Sequence, residues 1–379
     1  MKKALMVTSV ASMIKQFNIP NIKNLKKLGY EVTVATNFNI PGTIPLKESK
    51  ELFNDLYKSD VIPINIEFDR NPISKKNFKA FKELKTIIKN GDFDLIHCQS
   101  PVGGVLTRLA SRSAMKETTK IIYTAHGFHF YESAPKKNWI FYPIEKKLSR
   151  YTDLLITINE QDYNKALAFN TCQVEYVPGI GVDTEKFNMT SFNKKKREEL
   201  GIPNSVFLIV SVGELNENKN HKVIIEAMHK LGKPDIHYAI IGIGQLKDEL
   251  ANLTDSYGLS KQVHFLGYRN DINEIYKTTN IFAFPSKREG LGLAAVEAMA
   301  AGLPLLTSNK HGINDYSIFG ETGFKYEPDD IIGFSEGILK LYTLDKSEVF
   351  KIGQNNVIKS KKFDQEIVNQ KMYDIYREM

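Results

Sequence analysis

Glu289 and Glu297, with seven residues between them, bracket a Gly290-Leu291-Gly292 turn. Before the turn comes an apolar run, Ile281-Phe282-Ala283-Phe284, that reads as a strand; after it comes an alanine-rich stretch that reads as a helix. The N–H groups of a helix N-terminus attract phosphate. Glycines let the backbone approach a ligand closely, and carboxylates accept the paired hydroxyl donors that sugars present. The pattern fits a ligand that is both polyhydroxylated and anionic. The plain alternative is an ordinary strand-turn-helix joint with two solvent-facing glutamates.

Other residues carry chemistry of a matching kind. Lys219 follows a strand and a turn, Val212-Gly213-Glu214-Leu215, and is placed to neutralise a diphosphate; alone it would read as a surface lysine at a helix start. His126 follows an apolar strand and precedes Gly127. His126 and His129 have i, i+3 spacing, but no third ligand lies near in sequence, so no metal is expected there. Asp92 and Asp94 precede a strand and read as a helix-to-strand turn. From Pro135 to Tyr151, Lys136, Lys137, Lys146, Lys147 and Arg150 interleave with Trp139, Ile140, Phe141 and Tyr142. That is the composition of a segment lying on an anionic membrane; the alternative is a core helix with lysines on its wet face, with Pro143 barring a long helix.

These residues need rigid elements to hold them. The chain has 379 residues, more than one core serves, so two domains are expected. Short apolar strands alternate with amphipathic helices throughout, which predicts βαβ units and parallel sheets. Seven strands are expected in the first half and six in the second, each set forming a doubly wound domain. The polar stretch from Asp183 to Pro203, with Lys194-Lys195-Lys196-Arg197, reads as a linker whose charge run is solvated surface. Met1-Lys2-Lys3 and the apolar residues after it imitate a signal peptide, yet Thr8, Ser9 and Ser12 interrupt them and a helical pattern follows at once; a first buried strand is the better reading. No run reaches the ~20 apolar residues of a membrane span. Two cysteines, Cys98 and Cys172, predict neither a disulfide framework nor a zinc site. The net charge of +7 fits an acidic partner, though dispersed lysines that keep a chain soluble account for most of it, and no nucleic-acid motif accompanies it.

The run Pro285–Pro304 resembles the Glu-x₇-Glu signature of retaining, nucleotide-sugar-dependent glycosyltransferases of family 4, and the likeness covers nearly the whole chain. Val177-Pro178-Gly179-Ile180-Gly181-Val182-Asp183 with Phe187 resembles that family's interdomain segment, and Val212-Gly213-Glu214-Leu215 with Lys219-Asn220 its phosphate loop. Ile241-Gly242-Ile243-Gly244 and Phe265-Leu266-Gly267-Tyr268 stand where its nucleotide-side strands end. Tyr123-Thr124-Ala125-His126-Gly127-Phe128-His129-Phe130 is similar to the branch that builds bacterial capsular and exopolysaccharides.

The resemblance implies an α/β protein of the GT-B fold, two Rossmann-like doubly wound domains facing a central cleft. Residues 1–182 would form the acceptor-side domain, residues 183–362 the nucleotide-sugar domain, and the helix 363–379 would cross back to the first. Gly213, Lys219, Gly244, Tyr268, Gly290, Leu291, Gly292 and Leu293 would serve the donor, Glu297 its ribose, and Glu289 and His126 the transferred sugar. The family commonly has arginine where Glu214 stands; a carboxylate there repels phosphate, so Arg288 is the expected replacement. Arg70 and His129 fall on the acceptor side. The resemblance further implies a UDP-sugar substrate, of N-acetylhexosamine or related type, and no cofactor or divalent metal. It implies a polyprenyl-diphosphate-linked saccharide acceptor, and a cytoplasmic protein held on the inner face of the plasma membrane. A transferase for a small soluble acceptor, or a nucleotide-sugar isomerase (epimerase) of the same fold, is the rival expectation.

Overall fold

The computed structural model describes residues 1–132, 134–193 and 195–379. It divides into one unit of Met1–Ile180 with Ile367–Met379 and a second of Gly181–Glu366. The first holds seven strands: β1 (Lys2–Val7), β2 (Tyr30–Thr36), β3 (Val61–Asn65), β4 (Leu95–Gln99), β5 (Lys120–Ala125), β6 (Leu154–Thr157) and β7 (Gln173–Tyr176). Their order across the sheet is β3-β2-β1-β4-β5-β6-β7, and every pairing is parallel. Parallel strands covered on both faces must be apolar on both faces, and β1 shows it. Ala4 and Met6 join one core with Val32, Val34 and Ile156, while Leu5 and Val7 join another with Ile96, Cys98 and Tyr123. The N-terminal apolar run is therefore a central strand. Val368, Met372, Ile375 and Tyr376 of the last helix, Gln365–Glu378, complete the first of these cores.

The second unit holds β8 (Phe207–Val212), β9 (Ile236–Ile241), β10 (Val263–Gly267), β11 (Ile281–Phe284), β12 (Leu305–Ser308) and β13 (Gly323–Tyr326), in the order β10-β9-β8-β11-β12-β13, again all parallel. In each sheet the first strand of the unit lies between the strands that run off to either side. Open α/β sheets place ligands beyond the carboxyl ends of strands at such a reversal.

The stretch 183–203 is not a linker. It forms the helices Thr184–Met189 and Lys196–Glu199 within the second unit, with Phe187 buried. Nor is its charge run wholly solvated. Lys196 Nζ lies 2.9 Å from Glu199, 3.0 Å from Asp271 and 2.8 Å from Glu274, and its side chain is 6% exposed. Three carboxylates gathered from two segments offset the cost of burying it. The Arg197 guanidinium donates to the carbonyls of Thr278, Asn204 and Val206. Lys194 lies outside the described residues. Asp92, by contrast, ends a helix at φ 52°, and Asp94 accepts from the Lys3 amide at 2.7 Å, so this pair is a turn.

Candidate active site

β8 and β11 are neighbours, so the loops at their carboxyl ends meet. The Lys287 amide donates to the Asn218 carbonyl at 2.8 Å, and Asn218 Nδ2 returns a bond to the Arg288 carbonyl at 2.9 Å. Between the joined loops Lys219 Nζ meets Glu289 Oε1 at 2.6 Å, both side chains mostly buried. The Lys219 ammonium also lies 4.8 Å from the centre of the Phe284 ring. Lysine and glutamate, each assigned to a ligand from sequence, hold each other.

Gly292 caps the helix Leu293–Ala300 at φ 90°. A Cβ there would lie 2.6 Å from the Phe284 ring and 2.9 Å from the Tyr316 hydroxyl, so this position needs glycine for space as well as for its backbone angle. The Tyr316 hydroxyl is buried and makes no hydrogen bond among the described residues. Glu297 stands within the helix, largely buried. Burial pushes its carboxyl up to about 7, against the pull of the Lys186 charge. It is an acid poised near neutrality rather than an ordinary surface carboxylate.

Other candidates take different places. Glu214 is exposed and accepts from Asn216 at 3.0 Å, so its charge turns to solvent and Lys219 does not meet it. Gly244 brings the β9 loop against the β8 loop: a Cβ would lie 2.4 Å from the Leu215 carbonyl oxygen. Gly213 packs along the Lys219 stem, 3.0 Å from where a Cβ would stand. Leu291 is buried. Tyr268 is exposed at the end of β10, with β9 between it and β8, so its strand stands about 10 Å along the sheet from β8.

In the first unit, His126 follows β5 and Gln99 ends β4, the strand beside it. His126 Nε2 lies 2.7 Å from Gln99 Oε1. A π-helical turn, Ile14–Asn18, brings the Phe17 ring to 5.4 Å from the His126 ring and turns Asn18 toward Gln99. Burial pulls the His126 ring down to about 4. Phe17, Gln99 and His126 border a cavity of ≈ 20 Å³, the room one water takes. His129 points elsewhere, its ring 5.4 Å from that of Phe141, so the two histidines do not converge. Among the described residues no group of three or more His, Cys, Asp or Glu could hold a metal ion. Arg70 is exposed beside Gly42, 3.2 Å from where its Cβ would be.

The basic, aromatic segment forms a tight turn, Lys136–Ile140, and the helix Phe141–Leu148. Pro143 falls in that helix's first turn, where no amide is needed. Tyr142, Glu145 and Leu148 turn inward. Trp139 (43% exposed), Ile140 (64%), Phe141 and Ile144 (43%) turn outward, with Lys136, Lys137, Lys147 and Arg150 also exposed. Lys146 is half-buried, 6.0 Å from the Tyr142 ring. One face of the helix packs inward with lysines outside, as the core-helix alternative has it, while Trp139, Ile140, Phe141 and Ile144 stay exposed. What anchors the helix was missed in the sequence. Fully buried Arg108 bonds Glu145 at 2.8 Å and the Gly104 carbonyl at 3.0 Å, and stacks 3.9 Å over the Tyr123 ring. A charge set in the apolar run Val105–Ala110 was the available signal. No helix among the described residues is long and apolar enough to cross a membrane.

Residues 192–356 match the family model described as glycosyl transferases group 1, and residues 6–159 match that described as glycosyl transferase 4-like. The chain is 37% identical over 383 positions to EpsD of Bacillus subtilis (strain 168), a protein named as a glycosyltransferase, covering 99% of this chain and 96% of that one. It is 31% identical, over 72% of each chain, to the Escherichia coli UDP-Gal:alpha-D-GlcNAc-diphosphoundecaprenol alpha-1,3-galactosyltransferase. Among solved structures, Anabaena Alr3699/HepE in complex with UDP and glucose aligns over all of both chains with a TM-score of 0.78 at 20% identity.

Proposed function

Since this chain belongs to the glycosyltransferases of group 1 and the 4-like family, with the GT-B fold, we propose that it moves a sugar of N-acetylhexosamine or related type from a UDP-sugar to a polyprenyl-diphosphate-linked saccharide. The product would serve a bacterial surface polysaccharide. The observation that carries the donor half is the Lys219–Glu289 pair at the mouth of the Gly292-capped helix. A diphosphate at that helix end takes the ammonium and the free amides. Glu289, released from Lys219, accepts sugar hydroxyls, while Glu297 accepts from ribose. Tyr268, at the end of β10 two strands from β8, would meet the base. Arg288 supplies the second cation in place of the arginine that Glu214 replaces. Lysine, arginine and helix end together stabilise charge on the departing diphosphate, so no divalent metal is needed. The anomeric bond to UDP breaks, the acceptor oxygen bonds the same face of that carbon, and the hydroxyl proton leaves with UDP or to solvent.

The acceptor half rests on the outward apolar strip Trp139, Ile140, Phe141 and Ile144 with its exposed cations. Such a surface suits the headgroup region of an anionic bilayer, where a polyprenyl carrier resides. His129 and Arg70 would lie toward the acceptor. The named substrates of the E. coli relative support the pairing of a UDP-sugar with a lipid diphosphate.

A panel of UDP- and other nucleotide sugars in a thermal-shift assay tests the donor half, because bound ligand raises stability by mass action. UDP-sugars are expected to raise the midpoint and GDP- or ADP-sugars to leave it in place. UDP release that needs no acceptor, with a changed free sugar as product, would favour the isomerase instead.

A further inference from the structure

We infer that Gln99 and Asn18 lock His126 in a single neutral tautomer, proton on Nε2 and lone pair on Nδ1, so that it recognises a ligand hydroxyl only by accepting from it. The ligand half of this rests on the transferase reading above; the tautomer does not. A backbone carbonyl can only accept. Asn18 Nδ2 lies 2.8 Å from the Met13 carbonyl oxygen, which fixes that amide with its nitrogen there. Asn18 Oδ1 then accepts from Gln99 Nε2 and, at 3.1 Å, from Asn21 Nδ2. Gln99 is thereby fixed too, its Oε1 turned to Asn18 Nδ2 at 3.1 Å and to His126 Nε2 at 2.7 Å. An amide oxygen cannot donate, so Nε2 must carry the hydrogen.

Nδ1 is left for the ligand. No hydrogen bond among the described residues engages it. The titratable groups that join the network are His97 of β4 and, from the last helix, Tyr376, bonded to each other at 2.8 Å; His97 also meets Thr124 at 2.8 Å. Among the described residues the network holds no carboxylate, and burial keeps the imidazole neutral at pH 7. A neutral ring with only a lone pair to offer selects a hydroxyl donor over a phosphate or acyl oxygen. Gln99 and Asn18 are accordingly positioning residues, and neither has to touch substrate.

The test is nitrogen-15 NMR of the full chain labelled at histidine, with His126→Asn identifying the signal among the eight histidines. The parent should show the Nε2–H pattern alone from pH 5.5 to 8. Gln99→Glu puts a carboxylate beside the ring and should bring imidazolium into the spectrum at pH 5.5, where the parent shows none. It should also move the acid limb of the transfer rate upward by about 1–3 pH units. Asn18→Ala, which frees the Gln99 amide to turn, should populate the second tautomer and keeps the test open if a Gln99 variant does not fold. An Nδ1–H ring or a mixture in the parent overturns the inference. Because the spectrum needs no turnover, failure of the transferase reading would be seen separately.

Discussion

Lys219 Nζ and Glu289 Oε1 are 2.6 Å apart, bridging two loops that sheet order brings together. On the proposed reading, a cation for phosphate and a carboxylate for sugar hydroxyls satisfy one another until a ligand offers both partners. Lys219→Met should leave the mostly buried Glu289 without its partner, costing stability by about 1–3 kcal/mol, and should weaken UDP binding. Glu289→Gln should keep UDP binding and lose most turnover. Urea unfolding and UDP calorimetry on both variants check this; a Glu289→Gln variant that turns over like the parent removes Glu289 from the sugar.

Glu297 should make stability fall with pH. Its folded carboxyl titrates near 7, above the ordinary ~4.3 of the unfolded chain. The native state therefore binds the extra proton between these values, and stability declines as pH rises through that window. The difference is on the order of 3 kcal/mol. Glu297→Gln should be more stable than the parent at pH 8, equal at pH 4, and weaker for UDP by about 1–3 kcal/mol. Denaturation midpoints across pH, with UDP titrations, decide it; parallel pH curves for parent and variant would refute the burial argument.

Arg288 is assigned the phosphate role that Glu214 cannot fill. Arg288→Ala should weaken UDP far more than uridine, measured by calorimetry. Equal losses for both ligands would place Arg288 away from the phosphates.

Arg108 and Glu145 tie the outward-facing helix to the core. Glu145→Ala should cost about 3–5 kcal/mol by leaving a buried guanidinium without its charge partner, whereas Arg108→Met with Glu145→Leu should recover most of that. Chemical denaturation of the single and double variants measures the difference.

Trp139 is the chain's single tryptophan, and it stands at the edge of the exposed strip, with the rings of Phe130 and Tyr142 within 6.4 Å. Its emission should shift blue with anionic vesicles, stay put with neutral ones and revert in high salt. Ile140→Asp with Ile144→Asp should abolish the shift with fold intact. Unchanged emission of the parent and no co-sedimentation would point to a soluble acceptor.

The central strands, such as β1, β4, β8 and β11, were legible as apolar runs, since strands covered on both faces leave little room for polar residues. The Glu289–Glu297 turn was legible for a similar reason: Gly292 has no alternative where Phe284 and Tyr316 crowd it. What escaped depends on distant partners. Lys196 looked like solvated charge because Asp271 and Glu274 lie some 75 residues on. Gln99 carries no local signal at all; it meets His126 only because β4 and β5 pair with Gln99 opposite Thr124. Tyr316, on a short turn after β12, gave no pattern to read.

The most direct measurement supplies the protein with a UDP-N-acetylhexosamine panel and a polyprenyl-diphosphate-linked saccharide, then reads product and anomeric configuration by mass spectrometry and NMR. UDP release should be matched one for one by lengthening of the lipid-linked saccharide, with the donor's configuration kept and with chelator present. Inverted product, or donor consumed without any lengthening of the lipid-linked acceptor, would contradict the proposed function.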